Sequence, residues 1–329
     1  MIHNSDMTLE VQGLSVSIHT RKGTTKPVND VSLRIPKGKI IGIVGESGCG
    51  KSMTARACMG LLKPPVKIES GRILLAGRDL VGLPESDMCA VRGSEISMIF
   101  QEPMTGLNPV MKVGRQVDEA VRVHRHIPAS KARQETIRMF EAVGIPEPEA
   151  RYNSYPHELS GGLRQRVMIA MAMICRPALL IADEPTTALD VTVEAQILRL
   201  MKELNKAGTS ILLISHNLGV IAQVCDYVYV MYAGQILEEA EVCALFDSPL
   251  HPYTRGLLES VNSLRREEPV LETIAGSVPD FLHLPQGCSF SPRCGQCLER
   301  CASGEPPLFE PEPGHKVRCH LYDKDTSRI

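Results

Sequence analysis

The chain contains 329 residues and carries a formal net charge of −2 at pH 7. The length suits one large domain with an appendage and allows a substantial buried core. The near-neutral charge and the lack of a long Lys/Arg block argue against a nucleic-acid partner.

Neither a membrane span nor a secretory signal is expected. The longest apolar runs, such as residues 178–182 and 211–214, are far shorter than the ~20 residues that cross a bilayer. Residues 1–10 are polar and lack the apolar core of a signal peptide. We therefore expect the 11 cysteines to lie in a reducing cytosol, where thiols or metal ligation are favoured over disulfides.

Strand-like segments dominate the start of the chain. They lie near residues 9–18, 31–35 and 72–75, and strands and helices alternate after them. This order predicts an α/β fold with a small antiparallel β annex.

Residue spacing and composition divide the rest of the chain into further segments. From residue 113 to 143 the apolar residues take helical spacing, interrupted at Pro128, which predicts an inserted helical subdomain at about residues 102–164. This subdomain would belong to a large domain at residues 1–250. A stretch rich in Pro and Cys follows and predicts a separate extension at residues 251–329.

A Gly-rich run at residues 45–52 fits G-x-x-x-x-G-K-S and directly follows an apolar stretch. A buried strand, a loop with converging N–H groups and a helix N-terminus together form a phosphate-binding loop. Lys51 would reach the β- and γ-phosphates, and Ser52 would hold Mg²⁺. The alternative is a chance Gly-rich turn. The predicted nucleotide-binding residues are Gly45, Glu46, Ser47, Gly48, Cys49, Gly50, Lys51 and Ser52.

An apolar run at residues 179–182 ends in Asp183 and Glu184. A parallel sheet presents the carboxyl ends of its strands to ligands, so two acids at this point predict a catalytic edge. Asp183 would hold Mg²⁺ through water, and Glu184 would orient the attacking water. The alternative is a strand that ends in an exposed acidic turn.

A second Ser/Gly-rich turn, with Ser160, Gly161 and Gly162, opens an apolar helix at residues 167–175. The N-terminus of that helix predicts a second anion site. A lone Ser-Gly-Gly more often serves only as a helix cap. Its position between a phosphate loop and an acid-tipped strand favours the functional interpretation.

Taken in order, these motifs resemble those of the ATP-binding subunits of ABC transporters. The matching runs are residues 45–52 (Walker A), Gln101 within residues 98–103 (Q-loop), residues 159–162 (signature), Asp183 and Glu184 (Walker B), residues 188–190 ending in Asp190 (D-loop), and His216 within residues 214–216 (H-loop). The resemblance implies a P-loop ABC ATPase core, ATP and Mg²⁺ as cofactors, and ATP hydrolysis as the activity.

The same resemblance implies roles for single residues. Two such domains would pack head to tail, with each ATP between the Walker A of one and the signature of the other, where Asp190 also lies. Glu184 would polarise the water and His216 would contact the γ-phosphate. Gln101, which would also contact Mg²⁺, would link the site to the helical subdomain that receives a membrane subunit. By themselves, His216 would more often be a structural histidine and Gln101 an ordinary loop residue.

The chain departs from the family pattern at two positions. The family usually stacks adenine on an aromatic residue near the end of the first strand, where this chain offers Ile18 and His19. We therefore expect weaker ATP binding than in relatives with the aromatic residue. Leu163 follows the signature where many relatives have Gln, but Ser160 to Gly162 are retained, so activity is expected.

Other segments resemble the ATPases of oligopeptide, dipeptide and nickel importers. They are residues 104–109, 248–254, 287–294 and 317–320. The likeness implies a second, non-identical ATPase, two permease subunits and an extracytoplasmic solute-binding protein. It also implies a peripheral location on the cytoplasmic face of the plasma membrane. Peptides, glutathione, opines and nickel all remain open as the solute.

Cys288, Cys294, Cys301 and Cys319 match a four-cysteine pattern of that family, with Cys297 as an extra. Four thiolates suit zinc or an iron-sulfur cluster, and the spacing resembles neither a zinc ribbon nor a ferredoxin closely. The resemblance implies a structural 4Fe-4S iron-sulfur cluster, with zinc as the alternative and disulfides or free thiols as a third.

Two other classes of function compete with a transporter ATPase. A soluble ABC ATPase that clamps nucleic acid or ribosomes usually joins two ATPase domains or carries coiled-coil or basic insertions, and this chain has neither. A P-loop small-molecule kinase would lack residues 159–162. The sequence therefore favours an importer ATPase.

Overall fold

The computed structural model describes residues 6–101, 106–187, 189–266 and 274–323. Parts of three predicted motifs lie outside these residues: Glu102 and Pro103 after the Q-loop glutamine, Met104 and Thr105 of the importer-like run, and Ala188 of the D-loop. Within these ranges, none of the helices has the length and apolar character that a bilayer crossing requires.

Strands and helices alternate over most of the chain, which confirms the predicted α/β class. The strands are β1 (Met7–Thr20), β2 (Gly23–Pro36), β3 (Ile40–Val44), β4 (Val66–Leu75), β5 (Arg78–Asp79), β6 (Ile96–Ile99), β7 (Leu179–Asp183), β8 (Ser210–Ser215), β9 (Tyr227–Tyr232), β10 (Gln235–Glu241), β11 (Phe309–Glu312) and β12 (His315–Val317). The helices are α1 (Lys51–Cys58), α2 (Glu85–Val91), α3 (Val113–Arg125), α4 (Ala129–Ala142), α5 (Pro148–Tyr152), α6 (Gly161–Met173), α7 (Val191–Lys206), α8 (Leu218–Val224), α9 (Val242–Asp247) and α10 (Pro252–Arg266).

The chain folds into two compact units. The first consists of the described residues of Met1–Leu9, Ile35–Lys39 and Leu75–Ile214. Its strands β6, β7 and β8 are parallel neighbours in that order. Every residue of β7 and β8 is buried, as expected for central strands of a parallel sheet with both faces covered.

Helices α3, α4 and α5 of the first unit lie within the range predicted for a helical subdomain. Their apolar faces meet around Val117, Val121 and Phe140, all fully buried. Asp118 is also buried and accepts hydrogen bonds from Thr136 Oγ1, at 2.7 Å, and from the Tyr152 hydroxyl. A buried carboxylate needs such donors, so this pair ties the three helices together.

The second unit consists of the described residues of Glu10–Arg34, Ile40–Leu74 and Ser215–Ile329. Strand β3 runs parallel to β9, and β9, β10, β12 and β11 follow in antiparallel order. A further sheet has the order β2-β1-β4. Only two residues, Arg21 and Lys22, connect β1 to β2, and such a short connection joins antiparallel neighbours.

The Cys-rich extension shares a sheet with the strand that precedes the phosphate loop. Strand β12 pairs with β10 in the register Glu238 to Val317 and Glu239 to Lys316. The sequence predicts a separate module here. In the structure, β12 of this stretch lies beside β10, and the backbone groups of the two strands pair with one another. Leu250, Val317 and Cys319 form a small buried core at this junction.

Candidate functional site

The phosphate loop begins where β3 ends and finishes at the first residue of α1. Gly45 and Gly50 are required by sterics. A Cβ at Gly45 would lie 2.0 Å from the carbonyl oxygen of Met231, and one at Gly50, where φ is +112°, would lie 2.1 Å from that of Pro27. The two glycines therefore allow the loop to pass against neighbouring backbone.

The Lys51 side chain lies inside this loop. Its Nζ donates to the carbonyl oxygens of Gly45 at 2.6 Å and Glu46 at 2.9 Å, and Lys51 is 4% exposed. Cys49 is buried beside it, and burial raises the pKa of the Cys49 thiol. The thiol therefore stays neutral and adds no negative charge where phosphate is predicted to bind. Ser52 follows in the first turn of α1 and is half-buried.

Asp183 and Glu184 lie where the buried strand β7 ends. Asp183 is 2% exposed, and Glu184 adopts a left-handed backbone with φ of +47°. Its amide donates to the Ile214 carbonyl oxygen at 2.9 Å, which ties this turn to β8. A left-handed conformation is uncommon for a residue other than Gly, and such strain concentrates at functional sites.

Gln101 and Glu184 are in direct contact. Gln101 Nε2 donates to Glu184 Oε2 at 2.9 Å, and Thr187 Oγ1 donates to the same oxygen at 2.9 Å. Two donors on one carboxylate oxygen hold it in one orientation. The carboxylate is therefore positioned by residues before and after it in the chain.

The signature turn is exposed at the N-terminus of α6. Ser160 caps this helix, with Oγ accepting from the Leu163 amide at 3.4 Å, and Gly161 is exposed beside it. Gly162 is half-buried, and a Cβ there would lie 2.7 Å from Val193 Cγ1. Asp190 caps α7 in the same way, because its Oδ1 accepts from the Val193 amide at 2.9 Å. The capping role and a nucleotide role are compatible for both side chains.

The two remaining candidates lie at strand ends. His216 is exposed and follows β8, whose Ile214 is paired in register with Asp183. Ile18 is half-buried near the end of β1. Its neighbour His19 is exposed, with Nε2 2.9 Å from Glu69 Oε1 and Nδ1 3.0 Å from Thr24 Oγ1.

The four predicted metal-ligating cysteines lie near one another in the extension. Cys288, Cys301 and Cys319 are buried, Cys294 is half-buried, and none forms a disulfide. Burial and the neighbouring thiols raise the pKa of Cys288 to about 11. The Cys288 amide donates to the Cys301 carbonyl oxygen at 2.8 Å, which brings the two segments together.

This donor set suits a metal in type and number but is not arranged as a ligand set. In the described part of the chain, no three His, Cys, Asp or Glu side chains are placed so that they could hold a metal ion together. Cys297 is exposed. The iron-sulfur or zinc hypothesis therefore has support from the chemistry of the thiols alone.

Two residues that contact the phosphate loop were not among the predicted site residues. Tyr253 accepts a hydrogen bond from the Glu46 amide at 2.9 Å, and Arg293 pairs with the Glu46 carboxylate at 2.6 Å. Both belong to the importer-like runs of the extension. The sequence alone places both residues in these runs. Their contacts with Glu46, however, span 207 and 247 residues, and no local sequence pattern predicts contacts of that range.

Two family models match the chain. The family described as "ABC transporter" matches residues 28–187, and the family described as "Oligopeptide/dipeptide transporter, C-terminal region" matches residues 237–301. A solved structure, "Dimeric Structure of MJ0796, a Bacterial ABC Transporter Cassette", superposes with a TM-score of 0.65 at 23% identity. That match covers 71% of this chain and 98% of the other. It supports the ABC ATPase fold that the motifs predict.

Several relatives are similar over nearly the whole chain. The oligopeptide transport ATP-binding protein AppD of Bacillus subtilis is 48% identical over 96% of this chain and 97% of its own length. The oligopeptide transport ATP-binding protein OppD of Escherichia coli is 48% identical over 96% of this chain and 93% of its own length. The predicted family is thus confirmed: the chain belongs to the ATP-hydrolysing, ATP-binding subunits of oligopeptide and dipeptide ABC transporters.

Proposed function

We propose that this chain hydrolyses ATP to power the import of dipeptides or oligopeptides, or of a related solute such as nickel, glutathione or an opine. The observation that carries the proposal is the similarity over 96% of the chain to oligopeptide transport ATP-binding proteins. That similarity includes the extension, which a general ABC ATPase does not need.

The nucleotide roles follow the family mechanism. Lys51 contacts the β- and γ-phosphates, while Ser52 and Asp183, through water, hold Mg²⁺. Glu184 orients the attacking water, a role supported by its two hydrogen-bond donors and strained backbone. Gln101 reports the state of Mg²⁺ and water to the helical subdomain, and His216 contacts the γ-phosphate.

The signature is proposed to act on the ATP of a second subunit. Its exposed Ser160 and Gly161, at the N-terminus of the 13-residue helix α6, suit an anion brought by another chain. Head-to-tail closure of two ATPase subunits would then complete each site, and hydrolysis would reset the pair. The second ATPase is proposed to be non-identical.

A groove in the helical subdomain is the proposed docking site for the permease. Its cavity of about 1020 Å³ is lined by residues of α3, α4 and α5, including Arg115, Arg122 and Arg133. Two permease subunits and an extracytoplasmic solute-binding protein complete the proposed transporter. The chain would lie peripherally on the cytoplasmic face of the plasma membrane.

Transport in cells tests this function. A strain that lacks the chain should lose uptake of labelled dipeptides and pentapeptides, and the wild-type chain should restore it. A Glu184→Gln variant should not restore uptake, whereas Glu203→Gln, an exposed substitution in α7, should. Peptide uptake that persists without the chain while nickel uptake is lost would move the solute to nickel. Unchanged uptake of every candidate solute would contradict the proposal.

Cys288, Cys294, Cys301 and Cys319 are proposed to hold a structural 4Fe-4S iron-sulfur cluster, with zinc as the alternative. Burial, and to a lesser degree the neighbouring thiols, raise the pKa of Cys288, so thiolates at these positions would need a cation to neutralise them. Metal binding would supply folding energy to this turn-rich segment.

Metal analysis after anaerobic purification tests the cysteine proposal. A cluster predicts about four iron and four sulfide per chain, lost in Cys301→Ser and kept in Cys243→Ser, which alters an exposed thiol outside the extension. Zinc without sulfide would select the alternative. A chain without metal, with a protease-resistant extension, would refute both.

A further inference from the structure

Arg293 of the extension forms an ion pair with the second residue of the phosphate loop. Its two terminal nitrogens donate to the two carboxylate oxygens of Glu46, at 2.6 Å and 3.0 Å. The Arg293 side chain is 6% exposed and that of Glu46 is 27% exposed. A bidentate ion pair that is largely buried is geometrically specific. Solvent and salt screen it less than they screen an exposed ion pair.

The guanidinium is held in place by its own surroundings, independently of Glu46. Arg293 Nε donates to the Ala275 carbonyl oxygen at 2.9 Å, and one terminal nitrogen lies 3.3 Å from the Gly276 carbonyl oxygen. Tyr232 adds a hydroxyl at 3.4 Å and an aromatic face at 5.8 Å. These contacts fix the position of the Arg293 guanidinium, and the Glu46 carboxylate pairs with it there. A lysine could not reproduce this set of contacts.

The backbone of Glu46 is held by the extension as well. Its amide donates to the Tyr253 hydroxyl at 2.9 Å. The Tyr253 ring packs against Tyr232, with ring centroids 4.7 Å apart, and against Phe290 at 5.4 Å. Both the side chain and the amide of one loop residue are thus fixed by groups that lie outside the loop.

The turn that carries Arg293 is part of the cysteine-rich segment. It is a short 3₁₀ turn, Ser291–Arg293, with the Ser291 amide donating to the Cys288 carbonyl oxygen at 2.9 Å and Cys294 following directly. The position of Arg293 therefore depends on the local fold of the extension.

We propose that Arg293 is a positioning residue for the phosphate loop, through which the extension sets the affinity of this subunit for ATP. A phosphate loop binds with backbone amides that must converge on one anion, so its affinity depends on how well its conformation is fixed beforehand. The inference rests on the proposed binding of ATP at this loop. It assigns the extension a role in nucleotide binding that the family mechanism does not require.

The test compares nucleotide binding and hydrolysis in the full chain. For Arg293→Gln we expect the Kd of a fluorescent ATP analogue to rise about tenfold, as for loss of a hydrogen bond to a charged group. The KM for ATP should rise in parallel, while kcat at saturating ATP stays within about twofold, because the catalytic groups are untouched.

The matched control is Arg300→Gln. Arg300 pairs with Asp323 at 3.1 Å in the same extension and makes no contact with the loop among the described hydrogen bonds. This variant should lower the melting temperature but leave the Kd unchanged. Arg293→Lys should bind ATP almost as weakly as Arg293→Gln. Lysine restores the positive charge but not the bidentate geometry of the guanidinium.

A double-mutant cycle guards against a general folding defect. Glu46→Gln breaks the same pair from the loop side, so the double variant Glu46→Gln/Arg293→Gln should bind no more weakly than the worse single variant. The inference is overturned if Arg293→Gln and Glu46→Gln bind ATP like wild type, or if their effects simply add. Failure of the wild-type chain itself to bind ATP would instead defeat the proposed function.

Discussion

Gln101 Nε2 lies 2.9 Å from Glu184 Oε2, although 83 residues separate the two in the chain. The contact joins the residue proposed to orient water with the residue proposed to report the state of the site. Thr187 donates to the same oxygen, so the orientation of the carboxylate responds to displacement of either partner. Gln101 therefore provides a direct contact between the start of the predicted helical subdomain and the Glu184 carboxylate.

Replacing the carboxylate should stop catalysis without preventing binding. For Glu184→Gln we expect kcat for ATP hydrolysis to fall by about 10² to 10³, while the Kd for ATP changes little, because the loss concerns the transition state. Steady-state phosphate release and equilibrium titration measure the two quantities. Glu203→Gln is the control, and equal kcat in both variants would remove Glu184 from its assigned role.

Gly50 should tolerate no side chain. A Cβ would lie 2.1 Å from the Pro27 carbonyl oxygen at a φ of +112°, so Gly50→Ala should cost ~3 kcal/mol or more in unfolding free energy, or distort the loop and abolish ATP binding. Gly208→Ala is matched in backbone, with φ of +106° and nothing within 4 Å of its Cβ. That variant should lose only about 1 kcal/mol. Urea unfolding and ATP titration compare them, and equal effects would contradict the steric argument.

An aromatic residue at position 18 should strengthen ATP binding. Ile18 is the residue that we expect at the place where the family stacks adenine, and a stacking contact contributes ~0.5 to 1.5 kcal/mol. For Ile18→Tyr we expect the Kd for ATP to fall by about two- to tenfold. Ile18→Leu keeps an aliphatic side chain and is the control. A Kd for Ile18→Tyr equal to that of wild type would disprove the idea.

Stability should fall in mild acid because of His251. This residue is fully buried, and burial lowers its pKa to about 4 against the opposing effect of Glu238 and with the help of Arg255. Above pH 6.5 the His251 side chain is neutral in both the folded and the unfolded chain. Between pH 6.5 and 4 the unfolded chain binds a proton that the folded chain does not, so stability falls as the pH falls.

The expected loss between pH 7.5 and pH 5 is about 2 kcal/mol from this residue. Urea unfolding at both pH values measures it, and His251→Asn should show a smaller difference than wild type. The variant separates His251 from carboxylates that titrate in the same range. An identical difference in both chains would exclude His251 as the cause.

Local motifs revealed the family because each one is a contiguous run with its own geometry. Residues 45–52 contain the glycines, lysine and serine that a phosphate loop needs, and Asp183 and Glu184 follow their strand directly. Alternating apolar runs likewise predicted the α/β fold, because the apolar residues that a strand or a helix buries recur at short intervals along the sequence. These features depend on neighbours in sequence, and no tertiary contact is needed to recognise them.

The tertiary structure decided how distant segments meet. Arg293 and Glu46 are 247 residues apart, and tertiary contacts such as the pairing of β12 with β10 and the packing of Tyr253 on Phe290 bring the extension onto the loop. A charged pair has no sequence period, so composition and spacing could not reveal it. The amino-acid sequence by itself determined which chemistry this chain carries, and the fold decided that its Cys-rich extension holds the loop proposed to bind ATP, because contacts of that range exist only after the sheet is assembled.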